Sequence, residues 1–211
     1  MLLYVSDLYS FTQQEYESVF SLLSEERRQA IARMRIDNDK KRSLLGEALA
    51  RKGISALCGI EENGILFARD ERGKPYCSNA NMFFSISHSK ERVICAVGEG
   101  PLGADIEKIR FVEPRILRAC CKESDFEYIL GNMGKLPDSF TPEQAARFFS
   151  LWTAKEAYCK YTGVGVSGMK SISLKDISHN CKSITDCGFI ASVYSENPNF
   201  ELKTIDLRRG K

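Results

Sequence analysis

Apolar positions change their period along the chain, and they do so twice in the same sense, from helical spacing to short alternating runs. Leu2 to Val5 predicts a first strand, and Thr12-Gln13-Gln14-Glu15 has the form of a capping box opening a helix to about Leu23. Ser24-Glu25-Glu26 restarts a helix through Arg33, and the cluster Asp37-Asn38-Asp39 offers another amino-terminal cap. Leu44, Leu45, Ala48, Leu49 and Leu57 then recur at helical spacing, which predicts a long helix with that stripe packed inward and a stop at Cys58-Gly59. From Ile65 to Val97 the texture is that of strands, with tight connections at Arg72-Gly73-Lys74-Pro75 and Ser89-Lys90-Glu91.

Gly98-Glu99-Gly100-Pro101 is the clearest break in this half, and a new strand is expected from Leu102 to Ile106. Thr141-Pro142-Glu143-Gln144 combines a capping box with proline at the first helical position. The helix it opens should carry Phe148, Phe149, Trp152 and Ala157 and stop near Gly163. Ile172 to Leu207 reads as strands with a turn at Glu196-Asn197-Pro198-Asn199. The expected class is α+β, in two subdomains of residues 1–101 and 102–211, with mostly antiparallel sheets and a long helix packed in each half.

Composition narrows the function classes. A net charge of +2, left over from 30 basic and 28 acidic residues, does not give the continuous basic surface of a dedicated nucleic-acid binder. The eight cysteines include no CxxC pair and no zinc-ligand spacing with the two histidines, so free buried thiols in a reducing compartment are expected. The amino terminus lacks the pattern of a secretory signal, and no long apolar run suits a membrane span, so a cytoplasmic location is expected.

Three constellations bring in chemistry. In Gly103-Ala104-Asp105-Ile106-Glu107 an apolar strand carries two carboxylates on one side, and such a pair repels unless protons or a cation intervene. Hard oxygen ligands with few protein contacts suit Mg²⁺, although a solvent-facing edge strand gives the same pattern. In Trp152-Thr153-Ala154-Lys155-Glu156-Ala157-Tyr158-Cys159-Lys160, the four-residue spacing of Trp152, Glu156 and Lys160 lines one helical stripe. An ordinary amphipathic helix with one Glu to Lys pair would read alike. In Phe84-Ser85-Ile86-Ser87-His88-Ser89 a strand end releases hydroxyls and an imidazole, a donor set for an anion, or simply a satisfied strand-end histidine. No G-x-S-x-G elbow or G-x-x-x-x-G-K-(S/T) loop is present, which argues against a serine hydrolase and a P-loop phosphotransferase.

Taken in order, SISHS, GADIE and WTAKEAYCK resemble the 4′-phosphopantetheinyl transferases of the larger Sfp type, with further agreement at Gly73-Lys74-Pro75 and at Arg42 to Gly46. The resemblance spans about Ser24 to Gly163. It implies a monomer of two similar-sized subdomains related by a pseudo-twofold axis, the first cradling the coenzyme A nucleotide and the second carrying the metal site and catalytic helix. It also implies Mg²⁺-dependent transfer of the phosphopantetheine arm of coenzyme A to a serine of an acyl or peptidyl carrier protein, releasing 3′,5′-ADP. By the same resemblance Asp105, Glu107 and Glu156 would hold the metal, Glu156 would be the base, directly or through a bound water, and Lys160 would neutralise the pyrophosphate. Arg27, Ser43, Arg69, Lys74, Ser87 and His88 would bind coenzyme A, while Ala30 stands where the family often has a second basic residue, with Arg28 or Arg33 as candidate substitutes. A basic patch for an acidic carrier is expected at Arg110, Arg115, Arg118 and Lys122, interleaved with Phe111, Ile116 and Leu117. A non-catalytic relative that only binds coenzyme A or a carrier is the rival reading.

Overall fold

The computed structural model describes residues 1–131 and 136–205, apart from the side chains of residues 166 and 167. Two compact units divide the chain after Pro101, and the segment from Phe200 onward belongs with the first.

The first unit begins with β1 (Leu2–Asp7) and three helices, α1 (Gln13–Ser21), α2 (Glu25–Ala32) and α3 (Asp37–Cys58). The hairpin strands β2 (Phe67–Arg69) and β3 (Pro75–Cys77) follow, then β4 (Phe83–Ser89) and β5 (Arg92–Gly98). The Thr12 capping box forms, and Ser24 caps α2 by accepting from the Arg27 amide. At α3 the expected cap is absent. Ile36 holds the N-cap position without a side-chain bond, and Asp37 and Asp39 sit inside the first turn, where their charge meets the positive end of the helix dipole. Gly59 ends α3 in the left-handed conformation, φ 74°, which a glycine adopts without a Cβ clash.

Leu44, Leu45 and Leu49 are fully buried, whereas Ala48 and Leu57 are half-buried and the stripe continues instead through Ile54. They pack on Val93, Cys95, Val97 and Phe84 of the sheet.

The second unit contains β6 (Leu102–Lys108), short helices α4 (Leu117–Cys120) and α5 (Phe126–Leu130), the long α6 (Pro142–Thr162), α7 (Leu174–Ile177), β7 (Cys181–Asp186) and β8 (Phe189–Ser195). Its sheet runs β6-β8-β7, antiparallel throughout. The Thr141 capping box opens α6, and Gly163, φ 74°, closes it. Helical turns, not strand, occupy most of 172–180, because Ser173 forms a capping box with Asp176 that the strand reading overlooked.

The last strand, β9 (Glu201–Thr204), corrects the expected extent of the second subdomain. It pairs in parallel with β1, giving the first unit a sheet in the order β4-β5-β1-β9. The end of the expected strand run, Asp206 and Leu207, lies outside the described residues.

Candidate active site

In the second unit the approach of α6 to β6 rests on a missing side chain. A Cβ on Gly103 would lie 1.9 Å from the Ala157 carbonyl oxygen and 2.6 Å from the Tyr161 amide nitrogen, so only glycine lets the helix backbone touch the strand there. Side chains two residues apart share a face of a strand, which places Asp105 and Glu107 on the face that meets α6. Asp105 is buried, and Glu107, Glu156 and Lys160 are half-buried. Lys160 Nζ donates to Asp105 Oδ1 at 2.8 Å and to the Ala104 carbonyl at 3.0 Å.

Glu156 reports the company it keeps. Burial raises its pKa above the usual carboxylate range, Asp105 raises it further, Lys160 opposes the shift, and Glu107 adds a smaller upward push. One helix carboxylate therefore feels both strand carboxylates and the lysine of its own stripe.

The three carboxylates are not gathered around a common ion position, since no group of three His, Cys, Asp or Glu among the described residues is arranged to hold a metal. Asp105 turns to Lys160 and Glu107 to Arg110, whose Nη1 donates at 2.8 Å. Concentrated negative charge draws the nearest cations onto itself. The donor set, carboxylate oxygens alone in mutual electrostatic contact, fits a hard divalent cation such as Mg²⁺ and offers no soft ligand.

In the first unit, a cavity of about 490 Å³ is lined by Arg27, Ala30, Ser43, Glu47, Arg51 and Arg69, with Phe67, Phe84 and Ile86 among its apolar walls. Arg27 Nη2 donates to Ser43 Oγ at 2.6 Å, and its Nε to Glu47 at 3.3 Å. Glu47 also accepts from Arg51 at 3.1 Å, while Arg51 donates to the carbonyls of Glu62 and Ile65, both at 2.8 Å. The buried Arg51 Nε has no hydrogen-bond partner. Glu47 and Arg51 escaped the sequence analysis. Their four-residue spacing on a charged helix was the available signal, and it marks exposed pairs as readily as buried ones.

Other expected residues divide. Arg69 lines the cavity and bonds the Gly73 carbonyl at 2.6 Å. Lys74 sits exposed in the β2–β3 turn, outside the cavity lining. His88 shares the face of β4 that carries Phe84 and Ile86, and Arg42 ties this strand end to the start of α3 by donating to the Lys90 carbonyl at 2.9 Å. Ser87, one residue away, is buried on the opposite face. Arg28 does not line the cavity and donates to the Ser21 carbonyl at 2.9 Å, and Arg33 is also absent from the lining.

Lys155 is wholly internal. Its Nζ is 2.8 Å from Asp125 and 3.3 Å from the Cys120 carbonyl, an ion pair hidden between α6 and the short helices. In the expected basic patch, Phe111 and Arg118 are exposed, Arg115 pairs with Glu113 and Lys122 with Asp176, and Leu117 belongs to the core.

The two units match known families in turn. Residues 9–99 match the family described as 4′-phosphopantetheinyl transferase, N-terminal, and residues 101–204 match the 4′-phosphopantetheinyl transferase superfamily. The 4′-phosphopantetheinyl transferase Sfp of Bacillus subtilis (strain 168) is 32% identical over 206 residues, covering 90% of this chain and 89% of that protein. The chain belongs to the 4′-phosphopantetheinyl transferase superfamily.

Among its relatives, the 4′-phosphopantetheinyl transferase gsp of Aneurinibacillus migulanus is 38% identical over 146 residues, 69% of this chain and 58% of that protein. The transferase psf-1 of Bacillus pumilus is 32% identical over 165 residues, 77% of this chain and 68% of that protein. The second family match contains β6 and α6, the elements that bear Asp105, Glu107, Glu156 and Lys160.

Proposed function

We propose that this chain transfers the 4′-phosphopantetheine arm of coenzyme A to a serine hydroxyl of an apo acyl or peptidyl carrier protein. A bond forms between the serine oxygen and the phosphorus next to the pantetheine. The bond from that phosphorus to the bridging oxygen of the pyrophosphate breaks, and 3′,5′-ADP leaves. The observation that carries this reading is the electrostatic meeting of Glu156 with Asp105, Glu107 and Lys160 in a chain of this family.

Asp105, Glu107 and Glu156 are the residues to hold Mg²⁺, which when bound offsets pyrophosphate charge and orients the phosphorus for in-line attack. Lys160 binds a phosphate oxygen as a point charge once released from Asp105. Glu156 takes the serine proton, directly or through a bound water, a role that competes with metal binding because a cation beside the carboxylate lowers its proton affinity. At the nucleotide end, Arg27, Ser43 and Arg69 offer donors in the cavity, with His88 and Lys74 on neighbouring strand ends. Each proposed set comes from a single chain, in keeping with a monomer; the eight cysteines are free, which suits a reducing cytoplasm, but Cys58 and Cys187 are exposed and not buried as expected. No described helix is long and apolar enough to cross a membrane.

The present partners of the strand carboxylates, Lys160 on Asp105 and Arg110 on Glu107, suit a second reading, a module that binds coenzyme A or a carrier without transfer. One experiment separates the two. The purified chain is incubated with coenzyme A, Mg²⁺ and a panel of apo carriers, and carrier mass is measured. A gain of one phosphopantetheine arm that chelator abolishes is expected, whereas no gain on any carrier rules for the binding module.

A further inference from the structure

The sheet under α6 carries a row of hydroxyls with no part in the proposed transfer step. Ser183 on β7 lies opposite Ser192 on β8, and Ser192 lies opposite Asp105 on β6. Residues paired in register share a face of the sheet, and Gly103 identifies this face as the one against α6. Ser192 Oγ is 2.7 Å from Ser183 Oγ and 2.7 Å from Thr153 Oγ1 on α6, while Thr153 Oγ1 is 2.9 Å from the Phe149 carbonyl oxygen. Ser192 and Thr153 are 0% exposed, whereas Ser183 reaches the surface. One ordering of protons satisfies these three contacts: Thr153 donates to the carbonyl, Ser192 to Thr153 and Ser183 to Ser192.

Two contacts thus help to locate α6, beside the Lys155 to Asp125 pair and its apolar packing, and they constrain different movements. The Gly103 contact sets how closely the helix lies on β6. The Thr153 to Ser192 bond is directional, so it resists sliding and rotation, which apolar packing at the same place would tolerate. Glu156 follows Thr153 by nearly one helical turn and Lys160 by nearly two. A slide of one residue, about 1.5 Å, would change the reach that Lys160 needs to keep its bond with Asp105.

We propose that Ser183, Ser192 and Thr153 are positioning residues for the reacting end of the site. They fix the register of α6 against β6 and β8 so that Glu156 and Lys160 meet Asp105. This inference rests on the transferase reading given above.

The test is the double variant Thr153→Val with Ser192→Ala, which removes both partners of the buried bond and strands neither. In steady-state transfer to an apo carrier, kcat is expected to fall about tenfold to a hundredfold while KM for coenzyme A stays within about twofold. Thr153→Ser alone, which keeps the hydroxyl opposite Ser192, should retain most of kcat. Ser183→Ala, at the exposed end, should lower kcat in the same sense by less, and it serves where the double variant is too unstable to assay. Urea unfolding of each variant supplies the readout of fold. Lower stability with kcat unchanged, or kcat and KM moving together, would overturn the proposal. Absence of transfer by the unsubstituted chain would sink the transferase reading and this inference with it, whereas normal transfer there with unaltered kcat in the variants sinks the positioning role alone.

Discussion

The charged groups of the first unit and those of the second are arranged on opposite principles. Around the cavity, Glu47 stands between Arg27 and Arg51, and Arg51 spends its other hydrogen bonds on two carbonyls. On α6 and β6, the carboxylates of Glu156, Asp105 and Glu107 act on one another, so that burial and repulsion together raise the proton affinity of Glu156. The first arrangement holds a cavity wall in shape. The second stores unfavourable charge, which a folded protein has reason to keep where a cation or a proton in flight will use it. What separates the two networks is therefore whether a carboxylate's own neighbours favour its charge: both arginines bond Glu47, whereas burial and two carboxylates outweigh Lys160 at Glu156.

The comparison breaks first at Asp105. Asp105→Ala should lower transfer by about two to four orders of magnitude while leaving the fold intact, measured as the rate of carrier mass gain. Next in size, Glu47→Ala should cost about 3–5 kcal/mol, because it leaves Arg51 buried without its anion. Urea unfolding checks it, and an unchanged midpoint would show that the network adds no stability.

Glu156→Gln should act in the reverse direction on stability. A carboxyl whose folded pKa lies above its unfolded value of about 4.3 loses folded-state stability as pH rises through that window, so relief appears only at higher pH. In chelator, the variant should melt higher at neutral pH, by about 2–4 °C for each kcal/mol relieved, and the gain should vanish below pH of about 4. A lower melting temperature at neutral pH would show that Glu156 is stabilising and would collapse the contrast. The smallest effect is expected at the surface. Arg115→Glu with Arg118→Glu should raise KM for an acidic carrier by a few-fold, most at low salt, because Arg115 already pairs with Glu113 and Arg118 alone keeps most of its field.

Local chemistry made much of the fold legible in advance. The capping boxes at Thr12 and Thr141, the stop at Gly59 and the strand from Leu102 depend on residues a few positions apart. The same holds for the face shared by Asp105 and Glu107, which follows from strand period alone. Asp125 was not legible, because its partner Lys155 lies 30 residues away in the sequence. Ser192 was not legible either, since a serine in an apolar strand reads as a minor break until Thr153 is seen above it.

By itself, then, the sequence determined most of the segments that become helix and strand, 172–180 excepted, and which side chains share each face. It also carried, through three short motifs, the family and the residues to inspect. Only the tertiary structure decided that β9 joins the first sheet, that Lys155 turns inward, and that Arg27 and Arg51 share one glutamate. The physical reason is one of range. Caps, turns and periodicity are set by backbone geometry over a few residues, whereas pairing and burial of charge depend on which distant segments the core brings within a few ångströms.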